Sequence, residues 1–297
     1  PITFGFAIAS YVSRLGGRIE AIRAAGQALR GKISGGVGAH NAQCLFVDDP
    51  LEFEREVLAE LGLEPSISSS QIAEPEPMTD LMHALVSTLG VLANLGDDMR
   101  NLQRTEISEV AEEFTADQVG SSTMPHKRNP WNFENIKSFW KAFMPRMVTV
   151  YMDQISEHQR DLSNSASARF MPEIIVALVA TARRANRLMG KLVTDPKQMR
   201  RVFDLSEGMS AAEPAYILLA ACGHPDAHEA SRKLTLEAQA TGKPFAEVFL
   251  ASEELQPYIA QFTQKQKDLV RHIESYTGIA AEKTERICGV WRGRLRG

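Results

Sequence analysis

Apolar residues recur at steps of three and four along most of this chain, over stretches too long for ordinary globular helices. That spacing limits the fold more than any other feature. Phe4, Ile8, Val12, Leu15, Ile19, Ile22 and Leu29 mark one face of a helix of about 25 residues. GKISGGVGAH, Gly31 to His40, then puts four glycines in ten residues and breaks it. DDPLEFEREVLAELGL restarts a helix that ends near Gly62, with Asp48 or Asp49 as its cap and Pro50 in its first turn. Glu64 to Pro77 is too rich in Ser and Pro for regular structure. From Thr79 a long helix runs through Leu81, Leu85, Leu89, Leu92, Leu95, Met99 and Leu102. Phe133 to about Ser156 reads as helix kinked at Pro145, and Pro172 to about Leu192 as another.

No alternating strand pattern interrupts this series, and Gly and Pro punctuate only between helices. The expected fold is therefore all-α: a long-helix bundle over residues 1–197 and a smaller helical C-terminal domain over 198–297. The second is broken into short helices at Gly223-His224-Pro225 and Gly242-Lys243-Pro244. Long helices with apolar residues on more than one face bury them best against further subunits, so an oligomer is expected. A net charge of -4 over 297 residues offers no global attraction to nucleic acid or to an anionic membrane. No apolar run approaches the roughly 20 residues of a membrane span. Cys44, Cys222 and Cys288 are far apart and form no C-x-x-C pair, which suggests free thiols in a reducing cytoplasm, without a zinc site. The opening PITFGFAIAS has no initiator methionine and turns helical at once, as though it began partway through a larger polypeptide.

Three segments have the residue types that chemistry needs. GSSTMPHKRNP, Gly120 to Pro130, combines a permissive glycine, two hydroxyls with their backbone N–H groups, and the charge of Lys127. A serine there can remove a carbon-bound proton only if cations and N–H donors stabilise its alkoxide in a dry site. By composition alone the segment also fits a solvated basic turn. EHQRDLSNSASAR, Glu157 to Arg169, supplies Arg160, Ser165 and Arg169, two planar forks and a hydroxyl suited to phosphate oxygens, or else a surface charge run. Gln71 sits in a Ser-rich loop where its amide could meet a polar substrate edge. GGVGAHNAQ, Gly35 to Gln43, lacks the G-K-[ST] ending of a nucleoside-triphosphate loop.

GSSTMPHKRNP resembles the signature segment GSSxMPxKxNP of the fumarase/aspartase superfamily, and PITFG resembles the stretch that follows that superfamily's T-H-x-Q-x-A run. Within it, RDLSNSASAR resembles the RDLxxSxxxR phosphate segment of the adenylosuccinate lyase family. NPWNFEN and GGVGAHNA resemble runs of one bacterial branch of that family.

The resemblance implies a C–N lyase that releases fumarate from adenylosuccinate and from SAICAR, needing neither metal nor organic cofactor. It assigns Ser121 as general base, with Lys127 and Asn129 supporting the carboxylate and its developing charge. Gln71, Ser122, Met124 and Asn135 would contact substrate, and Arg160, Ser165 and Arg169 would hold phosphate. It further implies a cytoplasmic homotetramer with sites shared between subunits, and a family N-terminal domain that these residues lack. The general-acid histidine of the family lies upstream of the stretch matching PITFG, and none of His40, His126 and His158 is assigned that role. The signature alone would also fit a 3-carboxy-cis,cis-muconate cycloisomerase; a non-catalytic structural member of the superfamily is a further alternative, against which the intact Ser121 and Lys127 argue.

Overall fold

The computed structural model describes residues 1–114, 123–124, 126–155, 163–206 and 208–296. Helix α1 spans Phe4–Gln27 and stops ahead of the glycine-rich segment. The expected cap of α2, Pro50–Ala59, is Asp49: its carboxylate accepts the Glu52 N–H at 3.0 Å, and Pro50 occupies the first turn, where its missing N–H costs nothing. Helix α3, Glu76–Leu102, begins three residues ahead of the expected start because Pro77 is also tolerated in a first turn. Pro145 does more than kink the next helix. It separates α4, Trp131–Phe143, from α5, Arg146–Met152, since its ring opposes the helix carbonyl four residues back. Helix α6, Met171–Met189, follows with Pro172 in its first turn.

Sequence periodicity did not anticipate four two-residue strands. Arg30–Gly31 pairs in parallel with Glu64–Pro65, and two more are Val110–Ala111 and Val193–Thr194. Each is too short to carry a period of two.

The chain divides into two compact units. One comprises Tyr11–Arg104 and Val110–Val193, and is organised around α3. Buried residues come in consecutive runs along α3, as at Ala84, Leu85 and Val86 and again at Val91, Leu92 and Ala93, so most of its circumference is covered, while Asp80, His83, Asn94 and Asp98 keep one exposed stripe. Helices α4, α5 and α6 pack on it. A Cβ at Gly90 would lie 3.0 Å from Trp140 Nε1, and one at Gly96 would lie 3.0 Å from the Phe133 carbonyl, so α4 approaches as closely as it does because both positions are glycine. Along the remaining side, α1 contributes a Tyr11 hydroxyl bond to Asp98, Arg14 to Asn94 at 2.7 Å and Arg18 to Ser87 at 3.3 Å. Burial, reinforced by the Asp98 carboxylate, raises the Tyr11 phenol far above its ordinary pKa.

Contrary to the sequence expectation, α3 has the length and apolar composition of a membrane span, with a mean hydropathy of 1.2 over its best window. In that window 61% is buried inside the protein. A helix enclosed by its neighbours needs the same composition as one enclosed by lipid.

The other unit comprises Pro1–Ser10, Thr105–Glu109 and Thr194–Gly297. Its core gathers Leu219, Phe245, Phe249, Leu255, Phe262 and Val270, with the Phe245 and Phe249 rings stacked at 5.7 Å. Its helices are short: α7, Pro196–Asp204; α8, Ala212–Ala221; α9, Ala227–Thr241; α10, Phe245–Ala251; α11, Gln256–Ile259; α12, Gln264–Arg271; α13, Ala280–Leu295. Gly223 and Gly242, at φ of 84° and 67°, follow the ends of α8 and α9 at the two breaks expected from sequence.

Asp97 on α3 ties that helix to α4 by accepting Lys137 Nζ at 2.7 Å, and it also pairs with Arg100. The Lys137 bond, then Arg100, hold its carboxyl below the usual range despite partial burial. A depressed carboxyl stabilises the fold above its unfolded pKa, near 4, and loses that contribution as pH falls through the folded value. Asp97→Asn is expected to cost about 1 kcal/mol or less at pH 7 in urea denaturation. The gap from the unaltered protein should close as the pH is lowered beneath about 4.

Candidate active site

Gln71 is held in place by its backbone. Lys32, the one cation of the glycine-rich segment, donates to the carbonyls of Gly35, Ser70 and Gln71 at 2.5, 2.7 and 3.0 Å. Ser34 Oγ meets Ser69 Oγ at 2.7 Å, and the Ser66 N–H donates to the Gly31 carbonyl at 2.9 Å. Gly38, at φ 77°, passes so near that a Cβ there would sit 2.0 Å from the Ser69 carbonyl oxygen. Gly38, in a segment that lacks the ending of a phosphate loop, therefore lets one loop lie directly on another. Below them the buried Glu54 accepts the Ile33 N–H at 2.7 Å and pairs with His40 at 3.5 Å. His40 is thus buried against Glu54. The Gln71 side chain stays at the surface.

Immediately beyond Gln71, residues 72–79 form one wall of a cavity of about 250 Å³. Asn164 and Ala168, either side of Ser165 and next to Arg169, form another, with Arg30 and Asp153 contributing polar groups. The turn is built from within: Asn164 Nδ2 donates to the Asp153 carbonyl at 2.7 Å, Ser167 Oγ to Asp153 Oδ1 at 2.7 Å, and Arg169 Nε to the Ser165 carbonyl at 3.0 Å. Asp153 Oδ2 is buried with no hydrogen-bond partner among the described residues. On the opposite wall, burial would raise the Glu74 carboxyl, but the Ser66 hydroxyl and backbone N–H groups outweigh it and hold the group below its ordinary pKa. The structure thus brings the Gln71 loop and the Ser165–Arg169 turn to one cavity rim. Ser165 and Arg169 are themselves exposed. Arg160 and His158 lie outside the described residues, as do Ser121 and Ser122.

Of the signature segment, Met124, His126 and Lys127 are described and exposed, and the Lys127 N–H donates to the Met124 carbonyl at 3.0 Å. Asn129 is half-buried just ahead of α4. Asn135, on the first turns of α4, accepts Arg184 Nη1 from α6, and the Arg184 guanidinium lies 5.9 Å from the Trp131 ring. The Glu112 carboxylate, which no motif flagged, receives the Phe133 N–H and Asn132 Nδ2.

These two groups of residues occupy different ends of the same helices. Thirteen residues of α6 separate Met171 at the cavity from Arg184 at Asn135, about 20 Å at 1.5 Å per residue. On α3, seventeen residues separate Thr79 at the cavity from Gly96 against the start of α4, about 25 Å. Within one chain the described residues form two half-sites. Sequence reading missed the supports: Lys32, Glu54, Gln103, Glu112 and Arg184 belong to no recurring pattern and act through contacts distant in sequence.

The fold is that of an all-helical lyase. Residues 1–142 match the lyase family, and residues 156–266 match the adenylosuccinate lyase C-terminal family. Adenylosuccinate lyase of Pyrococcus horikoshii is 32% identical over 97% of this chain, and that of Bacillus subtilis 29% identical over 86%. The chain spans 63% and 59% of the lengths of these two relatives. Among solved structures, 3-carboxy-cis,cis-muconate lactonizing enzyme from Pseudomonas putida superposes with a TM-score of 0.81 over the whole chain and 65% of its own, at 24% identity. A fumarate lyase from Mesorhizobium superposes at 0.77 over 97% of this chain and 64% of its own, at 21% identity. Identities this low speak to the fold alone. The family matches, the signature segment and the sequence relatives carry the rest: the chain belongs to the fumarase/aspartase superfamily of lyases.

Gly38→Ala combines a left-handed backbone with a direct collision. It is expected to destabilise the protein by about 1–3 kcal/mol in chemical denaturation. Gly36→Ala, where a Cβ meets nothing within 4 Å, is expected to stay near the unaltered value.

Proposed function

We propose that this chain is the catalytic portion of an adenylosuccinate lyase, eliminating fumarate from adenylosuccinate to give AMP and from SAICAR to give AICAR. The observation that carries the reading is the shared cavity rim of the Gln71 loop and the Ser165–Arg169 turn, two segments linked beforehand only by their likeness to this family. A substrate without phosphate has no use for Arg160, Ser165 and Arg169 together, and this sets the reading apart from a cycloisomerase.

The reaction removes a weakly acidic proton from the carbon next to a carboxylate. Ser121 takes that proton, while Lys127 and Asn129 steady the carboxylate as charge spreads into it. Ser122, Met124, Gln71 and Asn135 contact the substrate. A second group protonates the departing nitrogen, and no histidine of this chain is assigned to it. The residues here need no metal or cofactor for these steps.

The separation of the two half-sites supports a homotetramer in which different copies complete each site. So do the outward apolar residues of α5 and α6, among them Val148, Met152 and Val176 at 58%, 67% and 67% exposure. Three unpaired cysteines suit a cytoplasmic setting.

The test is turnover followed by absorbance in the full-length protein: fumarate release from adenylosuccinate and SAICAR, and lactone formation from 3-carboxy-cis,cis-muconate. Ser121→Ala should lower kcat by between about a hundredfold and ten-thousandfold while substrate still binds. Arg169→Ala should raise KM for the phosphorylated substrates about tenfold or more, with a smaller effect on kcat. Full activity in both variants, or turnover of the muconate alone, would overturn the reading.

A further inference from the structure

Helix α4 begins without a cap of its own. Pro130 stands at the capping position and has no side-chain acceptor to offer the first N–H groups. The acceptor arrives from elsewhere. Glu112, 7% exposed, receives the Phe133 N–H on Oε1 at 2.9 Å and Asn132 Nδ2 on Oε2 at 2.6 Å. A carboxylate in this position also faces the positive end of the helix. The Glu112 N–H in turn donates to Gln103 Oε1 at 2.9 Å, and Gln103 Nε2 donates to the Arg128 carbonyl at 3.4 Å. Gln103 follows α3 directly, so the chain that leaves at Glu112 and returns at Arg128 to Phe133 is fastened at both ends to two side chains beside the central helix.

We propose that Glu112 is a positioning residue for the lyase site. It sets the register at which the signature segment enters α4, and so places Asn129 before the helix and Asn135 in its second turn. The inference rests on the lyase reading above. Without the carboxylate, the Phe133 N–H and the Asn132 amide lose a buried acceptor, and the first turn of α4 is free to shift. A displacement of about 1 Å at a reacting centre can cost about a hundredfold in rate.

The experiment compares the full-length protein with Glu112→Ala and Glu112→Gln. Two readouts are taken, hydrogen exchange over residues 128–136 and steady-state kinetics with adenylosuccinate. In Glu112→Ala, exchange at 128–136 should accelerate about tenfold or more while residues 85–99 of α3 keep their protection. The kcat should fall about a hundredfold with KM little changed. Glu112→Gln keeps an oxygen for the Phe133 N–H and should recover most of kcat, which a general loss of stability would not predict. Unchanged exchange at 128–136 in the alanine variant overturns the proposal, as does a glutamine variant no more active than alanine. Should the alanine variant fail to fold, Glu112→Asp shortens the reach by one methylene. Faster exchange and lower kcat are then expected, and unaltered values for both overturn the proposal. If the unaltered protein releases no fumarate, the lyase reading fails, while the exchange measurement still decides whether Glu112 sets the register.

Discussion

The enclosure of α3 is the constraint on which its whole unit depends. A helix buried over most of its surface can tolerate few side chains that project far where neighbours approach closely, and Gly90 and Gly96 mark where α4 comes nearest. That approach fixes the start of α4 against the centre of the unit. Asp97 adds a charged tie to Lys137 of α4, and Gln103 continues the same line past the end of α3. The segment with the signature residues therefore returns to a rigid landing point, as the proposed lyase reading requires of a site that positions a weakly acidic carbon.

The same rigidity explains the spread of the candidate site. Straight helices keep what they carry at a distance set by their rise, and α3 and α6 carry one half-site near each end. One half-site has a cavity lined by Ile72, Asn164 and Ala168, sequence neighbours of Gln71, Ser165 and Arg169. The other gathers Asn129 and Asn135, near the described part of the signature segment. A lyase acting on a nucleotide with a succinyl arm must address a phosphate and a reacting carbon at once. Under the proposed reading, long helices reconcile these demands by pairing opposite ends of different copies, which also buries the apolar stripes that α5 and α6 leave exposed.

Much of the fold was legible in local sequence. Spacings of three and four marked α1, α3, α4 and α6, while Asp49-Pro50, Gly223 and Gly242 marked boundaries, because caps and breakers act on their own backbone. The misses also have physical causes. Pro145 interrupts a helix instead of bending it, since Arg146–Met152 packs well enough on α3 to start again. Periodicity alone did not show how far the neighbours of α3 cover it, leaving one exposed stripe through Asp80, His83, Asn94 and Asp98.

The site divides in the same way. Sequence by itself determined which candidate groups are on offer: GSSTMPHKRNP, the Arg-Ser-Arg spacing of residues 160–169 and Gln71 are legible because each stands in a short run of distinctive composition. Tertiary structure alone decided what holds those groups in place. The three-carbonyl grip of Lys32, the glycine contact of Gly38 with Ser69 and the remote cap that Glu112 provides for α4 all join residues tens of positions apart. Such contacts leave no periodic trace, since a hydrogen bond between distant segments demands one polar atom at one place and asks nothing of the residues beside it.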